Sequence, residues 1–115
     1  MYIKGKPWFP DVADQDGRTP AYLASQRGHL DVARLLCEAR ADIDKPKQSG
    51  ATPLFISSQS GHLDVAQLLC EAGADIGKPT LDGATPLRVA SQNGHMDVAR
   101  LLCGARADID KSMQD

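Results

Sequence analysis

The chain repeats itself with a period of 33 residues, and that period constrains its fold more than any local motif does. Gly17-Arg18-Thr19-Pro20, Gly50-Ala51-Thr52-Pro53 and Gly83-Ala84-Thr85-Pro86 each open a segment that reaches a Gly-His pair eleven residues after its first glycine. Eighteen of the 33 columns hold one residue type in all three copies. Duplication on that scale points to a stack of like units, each of which buries its apolar face on a neighbour.

Each copy spells out the same local structure. In the second, the Thr52 hydroxyl can accept an orphan amide of a helix that opens at Pro53, where a missing N–H costs nothing. That helix runs through Phe55-Ile56-Ser57-Ser58-Gln59 until Gly61, which can take the left-handed conformation that stops it. A second helix follows, with Val65, Leu68, Leu69 and Ala72 at the i, i+3, i+4, i+7 spacing of one buried stripe and Asp64 in its first turn. Ala74 to Gly83 carries Pro, Gly and Asp in the arrangement of an extended turn before Thr85-Pro86 opens the next helix.

Gly-x-Thr-Pro-Leu, Gly-His-Leu-Asp-Val, Leu-Leu and Gly-Ala-Asp-Ile at this period resemble the ankyrin repeat, over residues 16 to 115 without a gap. The resemblance implies an all-α solenoid of helix-turn-helix units joined by β-hairpin-like loops. It also implies a protein-binding module whose fingertips and first helices form a concave surface. The expected division is 1–15, an N-terminal extension; 16–48, repeat 1; 49–81, repeat 2; and 82–115, repeat 3 with a truncated C-terminal hairpin begun by Lys111 to Asp115.

The chain departs from the family pattern at identifiable columns. Where the family has histidine after Thr-Pro-Leu, this sequence has Tyr22, Phe55 and Arg88, and the aromatic pair is expected to replace a hydrogen bond by packing. Ala21 stands in the column of Leu54 and Leu87, which thins the core of repeat 1. Arg40 and Arg106 occupy the column of Gly73. If the backbone is left-handed there, each arginine costs on the order of 1 kcal/mol relative to glycine, and the alternative is a different helix ending.

The ends raise their own expectations. Repeat 3 offers Leu87, Val89, Val98, Leu101 and Leu102 with no following helix, which leaves open an alternative to partner binding: a structural spacer or fragment of a longer array that associates through its uncapped terminal repeats. At the front, Gly5-Lys6-Pro7 echoes Gly77-Lys78-Pro79, but twelve residues separate Gly5 from Gly17 where six separate Gly77 from Gly83. Residues 1–15 therefore read as the tail of a preceding repeat with an enlarged loop, or as an unrelated leader. Trp8-Phe9, between Pro7 and Pro10, could cap repeat 1, stay disordered, or anchor a partner.

A net charge of −2 and a pI near 5.8 give no electrostatic reason to invoke nucleic acid or an anionic membrane. The N-terminus has no apolar signal region, and no run of about 18 apolar residues occurs, so a cytoplasmic or nuclear protein is expected. Cys37, Cys70 and Cys103 share one column, on helices that pack about 8–10 Å apart, and read as reduced core residues.

His29, His62 and His95 invite a metal reading with those cysteines. Within a copy histidine and cysteine stand eight positions apart, about 12 Å along a helix, whereas zinc ligands must converge within about 2.3 Å of one ion. The histidines are instead expected to bond backbone between repeats, and no metal or other cofactor is expected. Asp42, Asp75 and Asp108 recur with the period, whereas a catalytic acid is normally singular. The Ser-Gln pairs lack a Gly-x-Ser-x-Gly setting, and no phosphate-cradling glycine loop occurs. No catalysis is expected.

What the stack does not require remains for binding. By the resemblance, a protein partner would meet loop tips and first helices: Asp16, Arg18, Gln26 and Arg27 in repeat 1; Gln48, Ser49, Ala51, Gln59 and Ser60 in repeat 2; Leu81, Asp82, Ala84, Arg88, Gln92 and Asn93 in repeat 3.

Overall fold

The structure, a computed structural model, describes residues 9–112, with side chains from Pro10 to Arg106. After a 3-10 turn over Phe9–Asp11 come six helices: α1 (Pro20–Arg27), α2 (Leu30–Glu38), α3 (Pro53–Ser60), α4 (Leu63–Glu71), α5 (Pro86–Gln92) and α6 (Met96–Ser112). Among the described residues there is no strand. The first helices α1, α3 and α5 pack in one layer, the second helices α2, α4 and α6 in another.

The threonine caps form as the sequence dictates. The Thr19, Thr52 and Thr85 hydroxyls accept the Tyr22, Phe55 and Arg88 amides at 3.1, 3.1 and 3.2 Å. Gly28 and Gly61 end α1 and α3 with φ of 72° and 77°. On α4, Val65 and Leu69 are buried and Leu68 is half-buried, but Ala72 is exposed because the helix ends at Glu71. Ala66, on the same face, completes the stripe. One apolar cluster runs between the two layers through Ala24, Leu36, Leu54, Val65, Leu69, Val98 and Leu102. A second, formed by Tyr22, Ala51, Phe55, Ile56 and Val89, lies on the first-helix layer. Tyr22 and Phe55 therefore pack in place of the family's histidine.

The loops are fingers rather than sheet. Each closes on itself, Asp14 N–H to Arg18 O, Lys47 N–H to Ala51 O and Thr80 N–H to Ala84 O. Consecutive fingers are tied by Gln48 N–H to Asp16 O at 2.8 Å and by Leu81 N–H to Ser49 O at 2.9 Å.

A carboxylate from one repeat also fixes the helix exit of the next. Asp11 Oδ1 accepts the Asp42 amide at 2.7 Å, and Asp44 Oδ1 accepts the Asp75 amide at 3.1 Å. Asp11 thus stands in the column of Asp44, and the register of the repeat extends back to it without an enlarged loop. Gly5 and Trp8 lie outside the described residues. Gly77 is the third member of that column and has no carboxylate to offer Asp108. There α6 runs on to Ser112 instead of turning, so Lys111 and Ser112 are helical where a hairpin was expected. Met113 to Asp115 lie outside the described residues.

That difference divides the two arginines. Arg40 has a φ of 62° and carries the left-handed cost; Arg106 lies within α6 and does not. Arg40→Gly is expected to raise stability by about 1 kcal/mol in urea unfolding. The reverse change, Gly73→Arg at a φ of 92°, should lower it by about as much. No gain for Arg40→Gly would show that the strain is relieved some other way.

Repeat 3 is less open than its apolar residues suggested. Val98 and Leu102 are 0 % and 3 % exposed because repeat 2 covers them, and Leu101 is half-covered. Leu102 is therefore no surface for self-association. The Ser58 hydroxyl is buried without a hydrogen-bond partner. Its counterparts Ser25 and Ser91 bond the carbonyls of Ala21 and Leu87. In α3 the equivalent carbonyl, Leu54 O, is taken by Ser57 at 3.0 Å.

Candidate functional site

The register that sets α3 beside α5 also sets the second and third fingers side by side, and a groove of about 490 Å³ lies between helices and fingers. Phe55, Val89 and Ala84 give it an apolar floor; Ser49, Gln59, Thr80, Leu81, Asp82 and Gln92 complete the lining. Six residues expected from the sequence meet here: Ser49, Gln59, Leu81, Asp82, Ala84 and Gln92. Leu81 is 83 % exposed at the rim, a large apolar side chain in water. The Thr80 hydroxyl donates to the Asp82 carboxylate, and that bond holds its pKa below the ordinary value. Asp82 thus presents a fixed negative charge.

The other expected residues divide by what already occupies them. Ala51 is 3 % exposed within the second cluster and offers no contact surface, a correction to its placement at the loop base. Asp16 pairs with Lys47 at 3.1 Å, Arg18 with Asp14 at 2.9 Å, and Gln48 Nε2 donates to Gln15 O, so these groups are engaged in fixing the fingers. Gln26 is half-buried. Asn93 Nδ2 donates to Gln59 O at 3.1 Å, linking repeat 3 to repeat 2. Arg27, Ser60 and Arg88 are exposed but do not line the groove.

Sequence reasoning did not assign Phe55, Thr80 and Val89 to the site. Phe55 and Val89 are 8 % and 6 % exposed, core residues whose outer edges form the groove floor. Their contribution depends on the spacing of helix and finger, which no single residue type announces.

Two of the histidines, His62 and His95, act between repeats, while His29 is exposed. His62 Nε2 lies 3.1 Å from Gln26 O, and His95 Nε2 lies 3.1 Å from Gln59 O. Asp42 and Asp75 accept the amides two residues on, Asp44 and Gly77, and so stabilise turns. Asp108 lies beyond the described side chains. Among the described residues, no group of three or more His, Cys, Asp or Glu side chains is placed to share a metal ion. No helix there is long and apolar enough to cross a membrane.

A larger depression, about 560 Å³, lies between α4 and α6 and is lined by Gln67, Cys70, Glu71, Ile76, Arg100 and Leu101. Burial pushes the Cys70 thiol up to about 11, which keeps it protonated and a poor nucleophile at neutral pH. Cys37 is shifted the same way by burial, while Cys103 is exposed and so is not the core residue its column suggested. None of the loop-tip and first-helix residues expected to meet a partner reaches this depression; of the apolar residues considered for self-association, Leu101 does.

A family model described as Ankyrin repeats (3 copies) matches residues 3–80 and 46–115. No curated protein matches the chain.

Proposed function

Since the chain belongs to the ankyrin-repeat family, whose members generally bind proteins, we propose that it is a non-catalytic interaction module that holds its partner in the groove of repeats 2 and 3. The observation that carries this reading is the convergence of Ser49, Gln59, Leu81, Asp82, Ala84 and Gln92 on one concavity. The chemistry of the lining defines the contact. An apolar side chain of the partner would lie on Phe55, Ala84 and Val89, the Gln59 and Gln92 amides would bond its backbone, and Asp82 would favour a nearby cation. Fingers tied to one another and helices closed by caps are already ordered, so little conformational entropy remains to be lost on binding.

A photo-crosslinking amino acid placed at Gln59, and separately at Arg34 on α2, tests the reading in an extract of the producing cell. A discrete protein adduct is expected from position 59 and not from position 34. Leu81→Glu should weaken that capture about tenfold or more, as expected when an exposed apolar anchor is lost. Adducts confined to position 34, or capture unaffected by Leu81→Glu, would place the partner elsewhere.

A further inference from the structure

The two outer faces of the stack are complementary, because each is a copy of a surface already paired inside the molecule. At both internal junctions a histidine from the later repeat lies over the glycine that ends the earlier first helix. A Cβ on Gly28 would stand 2.7 Å from the His62 ring, and one on Gly61 would stand 2.7 Å from the His95 ring. The same imidazoles approach the carbonyls of Gln26 and Gln59. Gly94 is the third glycine of this column, with a φ of 74° and nothing within 4 Å of the place a Cβ would take. The seat there is open. A depression of about 260 Å³ surrounds it, lined by Ala90, Ser91, Gly94, His95, Met96 and Ala99.

The side chain that fits the seat is on the opposite face of the same chain. His29 is exposed and stands in the column of His62 and His95. Beside it on α2, Val32 is 46 % exposed, whereas its counterparts Val65 and Val98, covered by the preceding repeat, are each 0 %. Leu35 is 62 % exposed on that face, and Met96 is 69 % exposed at the seat. Both faces thus expose apolar side chains to water, beside the His29 imidazole on one and the Gln92 carbonyl, in the column of Gln26 and Gln59, on the other.

We infer that copies of this chain stack head to tail, with His29 of one copy seated on Gly94 of the next and Val32 buried against α6 as Val65 is against α2. The contact continues the molecule's own internal interface, and the partner is a second copy of this chain. Because the contact joins unlike faces, it does not close on two copies, and the stack grows with concentration. The seat lies at the α5–α6 turn, about 15 Å along α6 from Arg106, so the straight end of that helix does not cover it. This inference is independent of the groove proposed above, with which the seat shares no lining residue.

Sedimentation velocity over a concentration series, with circular dichroism to confirm folding, tests it. The wild type should grow past dimer. Gly94→Asn should stay monomeric, since asparagine tolerates a left-handed backbone while its Cβ occupies the seat. Val32→Lys should weaken association about tenfold or more by removing an apolar burial. If Gly94→Asn loses its helical signal, Met96→Lys, at an exposed position of the same depression, replaces it. Mixing a seat-blocked with a Val32→Lys variant should restore dimers and nothing larger, because one sound face of each kind remains. A monomeric wild type, association unchanged by Val32→Lys, or a mixture without dimers would each overturn the proposal.

Discussion

Leu54→Ala should destabilise the protein by about 2–5 kcal/mol, the range for a fully buried leucine whose neighbours cannot collapse onto the gap. Leu54 is 0 % exposed in the middle first helix and belongs to the cluster that joins all three repeats. Its column supplies the control. Leu87, the same residue one repeat later, is 38 % exposed because no further repeat lies over it in this structure. Leu87→Ala should therefore cost about 1 kcal/mol or less, the share expected for a partly exposed side chain. A small domain holds only about 5–15 kcal/mol in reserve, so the first change removes a large part of that stability and the second little. Urea unfolding followed by circular dichroism reads both. Equal losses at the two positions would mean that the middle repeat is not the structural centre of the stack. Ala21, the small member of the column, is 3 % exposed, so the repeats close over it. This is the arrangement in which a missing methylene cluster weakens repeat 1 without opening it.

The starts of the first helices and the ends of α1 and α3 were legible because each is set by residues within four positions of one another. Thr52 with Pro53, and Gly61 after Gln59, act through local hydrogen bonds and backbone sterics. The proposed concave site was legible only at its rim. Gln59, Leu81 and Gln92 could be named as residues the stack does not need, whereas Phe55 and Val89 already belong to the core and form the floor by their outer edges. Ala51 was misplaced for a related reason. Its column lies at the finger base, and burial there depends on Tyr22 and Phe55 packing over it. The end of α6 could not be read from the exit segment itself, since Ala105 to Lys111 matches Ala39 to Lys45 at every position. What differs lies outside that segment: Gly77, one repeat earlier, stands where Asp44 and Asp11 do in their turn, and Ser112 stands where Pro46 and Pro79 bar a continuing helix. A helix exit that depends on a carboxylate 31 residues away in the chain, as Asp75 does on Asp44, cannot be read from the exit itself.

The fingers obey the same logic, and a paired substitution isolates it. Gly50 and Gly83 both have a φ of 89°, so replacing either by alanine carries the same backbone cost of about 1 kcal/mol. Their surroundings differ. A Cβ at Gly50 would stand 2.9 Å from the Leu81 amide nitrogen and 3.1 Å from Thr80 Cα, while one at Gly83 meets nothing within 4 Å. The contacting atoms at Gly50 are backbone and cannot swing aside as a long side chain would. Gly83→Ala should therefore cost only the conformational strain, and Gly50→Ala about 2–3 kcal/mol, strain and overpacking together. The larger loss has a local signature. Moving the third finger away breaks the Leu81 N–H to Ser49 O bond of 2.9 Å, so the Leu81 amide should exchange its hydrogen much faster in Gly50→Ala than in Gly83→Ala. Equal exchange rates in the two variants would show that the fingers are not coupled. Since Leu81 and Asp82 line the groove, the same displacement should reduce partner capture more than the loss of global stability accounts for. The close backbone approach at Gly50 is then the feature that holds the proposed binding surface in shape.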